Sequence, residues 1–141
     1  MIDRDIIEGR IDIISENMDY LKEVRRTDLD SFSSDFEKIQ ATKHCLQEAI
    51  EACLDIANHI MSAEGFPRAE DYGQFFRVLA EKEVIGKDLA GRLARMAKFR
   101  NLLVHRYGLI KPEELHKILN EDLGDIEEYV REILTYISHK N

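Results

Sequence analysis

Three residues in the last third of the sequence have side chains suited to acting on a phosphodiester: Arg100, Asn101 and His105, which Tyr107 follows two positions later. The planar guanidinium of arginine matches phosphate oxygens with paired hydrogen bonds. Histidine has an unperturbed pKa of about 6.5, which suits proton transfer near neutral pH. An arginine and a histidine so close together therefore indicate cleavage of a phosphodiester, with the arginine stabilising charge and the histidine moving a proton.

The spacing of these residues limits how one helix can present them. Successive helical residues turn by about 100°, so Asn101 and His105 share a face, and the Asn101 amide can orient the imidazole. Arg100 and His105 lie about 140° apart around the axis and cannot both reach one small ligand from a regular helix. Either the helix deforms near its end, or a second copy completes the site across a two-fold axis. The geometry favours this composite, homodimeric site.

Apolar residues recur at intervals of three and four along almost the whole chain, which predicts an all-α protein. The pattern predicts an antiparallel bundle of about five helices, near residues 3–25, 34–64, 71–82, 89–107 and 112–138. No alternating strand pattern or internal repeat interrupts it, so we expect a single domain over residues 1–141.

Local signals set the predicted helix ends. The Ser34–Glu37 segment has the form of a capping box and starts the second helix, which Gly65 should end. The second helix has the widest apolar stripe and should be the most buried. Gly108 is the expected cap of the fourth helix, in which Arg100 and Tyr107 share a stripe with apolar residues. A charged residue on such a stripe needs a partner or a cleft.

Cysteine usage and hydropathy indicate a soluble, cytoplasmic protein. Cys45 and Cys53 fall on one predicted helix, about 12 Å apart at 1.5 Å per residue, which is too far for a disulfide. Free thiols among apolar residues suit a reducing compartment. The Met1–Asp5 segment is charged, and no apolar run approaches the roughly 18 residues of a membrane span.

Charge is distributed unevenly along this acidic chain. The formal net charge is -8, yet the segment from Lys82 to Lys111 holds eight basic residues and two acidic ones. Such a basic strip can attract a phosphate ligand, although a solvated helix face is an equal alternative on charge alone. The candidate RNA-binding residues in it are Arg92, Arg95, Lys98 and Arg106.

Two blocks of the sequence together resemble a known family. Arg100, His105 and Tyr107 fit the R-x4-6-H motif of the HEPN superfamily and, more closely, the R-x4-H-x-Y form of the HepT toxins. The Glu51–Ile60 segment is similar to the second-helix signature of that family, and the Met96–Tyr107 segment to its fourth-helix signature. The resemblance covers nearly the whole chain.

The resemblance implies a metal-independent, homodimeric endoribonuclease that is the toxin of a type VII-like toxin–antitoxin pair and needs no cofactor. His105 would transfer the proton, Arg100 would stabilise the phosphorane oxygens, and Asn101 would orient His105. The antitoxin, MntA, would be a nucleotidyltransferase that attaches AMP to Tyr107. That modification would add negative charge and bulk where an RNA phosphate must sit.

Each of these residues also has a structural interpretation. Arg100 could pair with an acidic residue of the second or fifth helix, His105 could be an ordinary helix end, and Tyr107 could fill a dimer interface. The chain as a whole could then be a non-catalytic, nucleotide-binding partner of a nucleotidyltransferase, or a dimeric scaffold.

The remaining histidines give weaker signals. Asp55 and His59 make a poor metal site, because one helix supplies only two ligands, so we expect them to bond across to the first or fourth helix or to line the cleft. His44, His116 and His139 are expected to be surface residues.

Overall fold

Seven α-helices and one 3-10 turn make up the part of the chain that the computed structural model describes, residues 1–140. The helices are α1 Arg4–Val24, α2 Leu29–Ser33, α3 Phe36–Glu64, α4 Tyr72–Glu81, α5 Lys87–His105, α6 Pro112–Glu121 and α7 Leu123–Ser138. No strand occurs within this range, so the all-α prediction is confirmed. None of these helices has the length and apolar composition needed to cross a membrane.

The long helix α3 runs antiparallel to α1. The backbone nitrogen of Met1 donates to the carbonyl oxygen of Ala63 at 3.1 Å, and Arg10 forms an ion pair with Asp55. As predicted, α3 is the most buried helix; its buried apolar residues are Leu46, Ala49, Ile50, Ala52, Cys53, Leu54, Ile56, Ala57, Ile60 and Met61. Helix α3 therefore forms the centre of the bundle.

Aspartates begin four of the helices. The carboxylates of Asp3, Asp28, Asp35 and Asp71 each accept a hydrogen bond from a backbone N–H in the first turn that follows. These bonds satisfy donors that have no partner inside the helix. The predicted capping box was wrong by one residue, since Asp35 rather than Ser34 caps α3. Gly65 ends α3 with a φ of 67°, a left-handed conformation that glycine adopts without strain, as predicted.

The predicted fifth helix is in fact two helices. Asp122 ends α6, and α7 begins at the next residue. The sequence carries a signal for this break, because Asn120, Asp122 and Gly124 are three poor helix formers within five positions. Leu119 and Leu123 are both buried on either side of the break. The apolar stripe thus continues through the bend, which is why periodicity alone predicted one helix.

Tyr129 on α7 joins the core to α3. Its ring is fully buried, its hydroxyl donates to the carbonyl oxygen of Cys53 at 2.9 Å, and Phe76 meets it edge to face at 5.5 Å. Burial raises the pKa of the Tyr129 phenol well above its ordinary value of 10.0.

Cys45 and Cys53 are both free thiols, as predicted, and burial raises the pKa of Cys53 to about 12.

Replacing Tyr129 with phenylalanine is expected to lower the free energy of unfolding at pH 7 by about 1 kcal/mol, the net value of one hydrogen bond. The folded state holds the phenol proton of Tyr129 more tightly than the unfolded state does. Tyr129 therefore makes its full contribution to the free energy of unfolding below pH 10, and this contribution is lost as the pH rises above 10. The variant should therefore lose stability less steeply than the wild type in this range. Urea unfolding at pH 7 and at pH 10–11 would measure both effects.

Candidate functional site

Arg100 on α5 lies largely buried between α3 and α4. Its Nη2 is 3.4 Å from Oε1 of Glu51, and its guanidinium carbon lies 4.7 Å from the centre of the Tyr72 ring. Its Nε is buried and has no hydrogen-bond partner within residues 1–140. The sequence-based expectation that Arg100 needs a partner or a cleft is confirmed, and it has both.

The contact between Arg100 and Glu51 is too long to use the full hydrogen-bonding capacity of the guanidinium. Strong charge-assisted N–H···O bonds measure about 2.7–2.9 Å. A guanidinium has five N–H donors. In Arg100 one contacts Glu51, one contacts Asn101 and the Nε–H is buried, which leaves two N–H groups for phosphate oxygens. Glu51 and Tyr72 thus position the cation without saturating it. Sequence reasoning did not single out either residue, although Glu51 begins the Glu51–Ile60 block.

His105 is the last residue of α5 and is exposed. The helix stays regular from Arg100 to His105, so the deformation considered from the sequence does not occur. Arg100 faces α3, whereas His105 faces solvent, and one chain does not bring the two side chains together. Asn101 Oδ1 lies 3.3 Å from Nη1 of Arg100 instead of against the imidazole. Its predicted role in orienting His105 stays a prediction.

The prediction that α5 continues to Tyr107 and is capped by Gly108 was wrong. Arg106 caps the helix, with φ -135° and ψ 35°, and residues Tyr107–Leu109 form a 3-10 turn. The Tyr107 ring is partly buried against α3, where its hydroxyl lies 3.4 Å from the carbonyl oxygen of Gln40. Contacts with α3 therefore decide where α5 ends.

Lys43 on α3 holds the Tyr107 turn in place. Only 5% of this lysine is exposed. Its Nζ donates to the carbonyl oxygen of Tyr107 at 3.0 Å and lies 4.6 Å from the centre of the Tyr107 ring. A buried ammonium needs such partners, because desolvation is costly. Sequence reasoning missed Lys43, yet a signal existed: it fills the gap between Ile39 and Leu46 on the apolar stripe of α3.

Replacing Lys43 with methionine keeps an unbranched side chain of similar length but removes the ammonium. This change is expected to loosen the Tyr107–Leu109 turn without unfolding the bundle. A hydrogen bond from a charged group contributes about 1.5–3 kcal/mol, which corresponds to a factor of ten or more in a local opening equilibrium. Hydrogen exchange of the amides in the Tyr107–Leu109 turn should accelerate by about that factor. Exchange in α1 should stay unchanged, and equal acceleration there would indicate global destabilisation instead.

The four candidate RNA-binding residues differ in availability. Arg92 is occupied by Asp125 at 2.9 Å and Glu128 at 2.6 Å, and these carboxylates raise its pKa. The other three are exposed and have no ion pair in the part of the chain described here; they are Arg95, Lys98 and Arg106. Three of the four are therefore free to meet a phosphate backbone.

Asp55 and His59 bond across to the first helix, one of the two outcomes expected for them. Asp55 pairs with Arg10 at 3.3 Å, and Nε2 of His59 accepts a hydrogen bond from the backbone N–H of Asp3 at 2.9 Å. No group of metal-ligating side chains occurs among residues 1–140.

His116 departs from its expected surface position. It is half-buried, with Nε2 2.9 Å from the Thr27 carbonyl oxygen and its ring near Phe32.

Comparison of the whole sequence with known families decides the assignment. The sequence profile described as Ribonuclease HepT-like matches residues 14–133, which include α3, α5 and the Tyr107 turn. The chain belongs to the HepT-like ribonuclease family. The resemblance inferred from the Arg100, His105 and Tyr107 motif is thereby confirmed.

Relatives of this HepT-like chain are similar over nearly their full length. It is 31% identical to the tRNA nuclease HepT of Aphanizomenon flos-aquae, over 94% of this chain and 90% of that protein. It is 29% identical to the mRNA nuclease HepT of Shewanella oneidensis, over 89% and 94% of the respective chains. Among solved structures, a tri-AMPylated Shewanella oneidensis HEPN toxin in complex with MNT antitoxin has a TM-score of 0.85 and 28% identity, covering 93% and 98%.

Proposed function

We propose that this HepT-like chain is an endoribonuclease, the toxin of a type VII-like toxin–antitoxin pair. The observation that carries the proposal is the state of Arg100, a largely buried cation whose donors are only partly used, on the same helix as an exposed histidine. Relatives named as nucleases over nearly their whole length support the same activity.

The reaction needs two roles from the protein. His105 accepts the proton of an RNA 2′-hydroxyl as its oxygen attacks the neighbouring phosphorus, or donates a proton to the departing 5′-oxygen. Arg100 stabilises the negative charge that develops on the phosphorane oxygens. Neither role requires a metal ion, so the proposed mechanism is metal-independent. Arg95, Lys98 and Arg106 attract the RNA backbone to an otherwise acidic protein.

The site is composite, formed where two copies of the chain meet. One helix directs Arg100 inward and His105 outward, so a second copy must supply the missing group. Three large apolar side chains near His105 stay uncovered: Leu102, Val104 and Leu109 are 41%, 38% and 68% exposed. Burying them against their symmetry mates would stabilise a homodimer and place each His105 close to the neighbouring chain.

Tyr107 is the proposed site of neutralisation by an MntA-like nucleotidyltransferase. A related toxin has been seen in the AMPylated state together with its MNT antitoxin, which supports such a partner here. Tyr107 lies two residues beyond His105, on a turn held by Lys43. An adenylyl group there adds a negative phosphate beside the catalytic histidine and repels RNA.

An RNA cleavage assay on the unmodified protein tests the proposal. The protein should cleave RNA in the presence of a chelator, and it should stop doing so after treatment with ATP and the partner nucleotidyltransferase. A protein that binds nucleotides but never cleaves RNA would instead be the non-catalytic partner of a nucleotidyltransferase.

A further inference from the structure

A cleft beside Arg100 is not used by the chemistry described above. It has a volume of about 330 Å³, and α3 and α4 form its walls; the lining residues are Glu51, Leu54, Asp55, Asn58, Tyr72, Phe75 and Arg100. Because α3 and α5 are antiparallel, the cleft extends from Arg100 away from His105. Whatever occupies it therefore lies next to the bound phosphate and not at the point of proton transfer.

One side of the cleft offers flat surfaces. The rings of Tyr72 and Phe75 are perpendicular at 5.4 Å, and both side chains are partly exposed. The guanidinium of Arg100 covers one face of Tyr72 and adds a planar cation beside the aromatic pair. Aromatic rings and guanidinium planes are the groups on which proteins stack unpaired nucleobases.

The opposite side of the cleft offers polar groups. Asn58 and Asp55 are three residues apart on α3, so their side chains share a face, and both are exposed. The Asn58 amide has no hydrogen-bond partner within residues 1–140, and Asp55 uses only Oδ2 for Arg10. An amide pairs with the edge of a base through a donor and an acceptor, and a carboxylate accepts from an exocyclic amine. Uracil has no such amine.

We infer that this cleft binds a nucleobase with an exocyclic amino group, from the nucleotide next to the phosphate held by Arg100. The inference rests on the proposed ribonuclease function, and it predicts that RNA cleavage has a sequence preference. Tyr72, Phe75 and Arg100 hold the base by its faces, whichever base it is. Asn58 and Asp55 read its edge and disfavour uracil.

Sequencing the ends of products from a random RNA pool tests the inference. Unmodified wild-type protein should yield products depleted in uracil at one position beside the cleaved bond. In the Asp55→Asn variant an amide that can donate to uracil replaces the acceptor, so that depletion should fall about tenfold. Asn120→Ala on α6, equally exposed and distant from the cleft, should cleave with the wild-type preference.

A second variant separates stacking from edge recognition. Phe75→Leu, which removes one aromatic wall of the cleft, should raise the KM for every RNA by about tenfold or more and leave the base preference unchanged, because stacking is tolerant of sequence. Titrating the protein with adenosine monophosphate tests whether the cleft binds a free nucleotide instead of a base within RNA. Tight binding of the mononucleotide combined with cleavage that ignores sequence would overturn the assignment to RNA.

The outcomes keep the two proposals apart. Cleavage by the wild type without any base preference, or with a preference that Asp55→Asn retains, would overturn the base-binding cleft and leave the ribonuclease standing. Absence of cleavage by the unmodified wild type would overturn both.

Discussion

Replacing His105 with alanine is expected to slow RNA cleavage by about 10²- to 10⁴-fold, the usual contribution of a positioned general acid or base. The imidazole is exposed at the end of α5 and has no packing role, so the fold should be unaffected. The measurement is the initial rate of cleavage of a defined RNA, with thermal unfolding of both proteins recorded alongside.

His44→Ala is the matched control, because His44 is an exposed histidine on another helix. It should cleave at the wild-type rate. An equal loss in both variants would indicate a general effect of removing histidine, and full activity of the His105 variant would place proton transfer elsewhere.

Mixing two inactive variants tests the composite site directly. After Arg100→Ala and His105→Ala proteins are unfolded and refolded together, half of the dimers should contain one copy of each. In a composite arrangement each such dimer has one intact site of two, so about a quarter of the wild-type rate should return. No recovery is expected if both residues act within one chain.

Replacing Tyr107 with phenylalanine is expected to remove AMP transfer at that residue completely, since the acceptor oxygen is gone. The lost hydroxyl makes only a 3.4 Å contact with Gln40, so the turn should keep its conformation. Intact mass after incubation with the partner nucleotidyltransferase and ATP should show additions in steps of one adenylyl group for the wild type and none for the variant.

Tyr20→Phe is the control for this experiment, since Tyr20 is also partly buried and lies on α1. It should accept as many adenylyl groups as the wild type. Undiminished modification of the Tyr107 variant would assign the acceptor to another residue. The unmodifiable variant should also keep cleaving RNA in the presence of the antitoxin, unless tight binding alone neutralises it.

The fold could be predicted from the sequence wherever local signals and apolar periodicity agree. Helix α3 was predicted almost to the residue because the Ser34–Glu37 segment, a continuous apolar stripe and Gly65 mark it. The break at Asp122 was missed because the stripe runs through it. The end of α5 was also missed, since contacts that Tyr107 makes with α3 end the helix, and such contacts are not visible in local sequence.

In the candidate site, too, the sequence predicted the residue types but not their partners. The types and spacing of Arg100 and His105 pointed to phosphodiester chemistry, and the stripe position of Arg100 predicted a partner or cleft. Which residue would be that partner depended on the register between α3 and α5, which only the packed structure defines. Lys43 interrupts the apolar stripe of α3 in the same way as Arg100 interrupts that of α5, so the same rule predicts a partner for its charge.

The antiparallel pairing of α3 with α5 has a genetic consequence. On α3, Lys43 contacts the Tyr107 turn and Glu51 contacts Arg100. These two α3 residues are about 12 Å apart at 1.5 Å per residue. Substitutions in the first half of α3 should therefore yield toxins that escape their antitoxin, whereas those in the second half should yield harmless ones. With the site residues proposed above, regulation and toxicity would depend on separate stretches of one helix, so selection could alter either without the other.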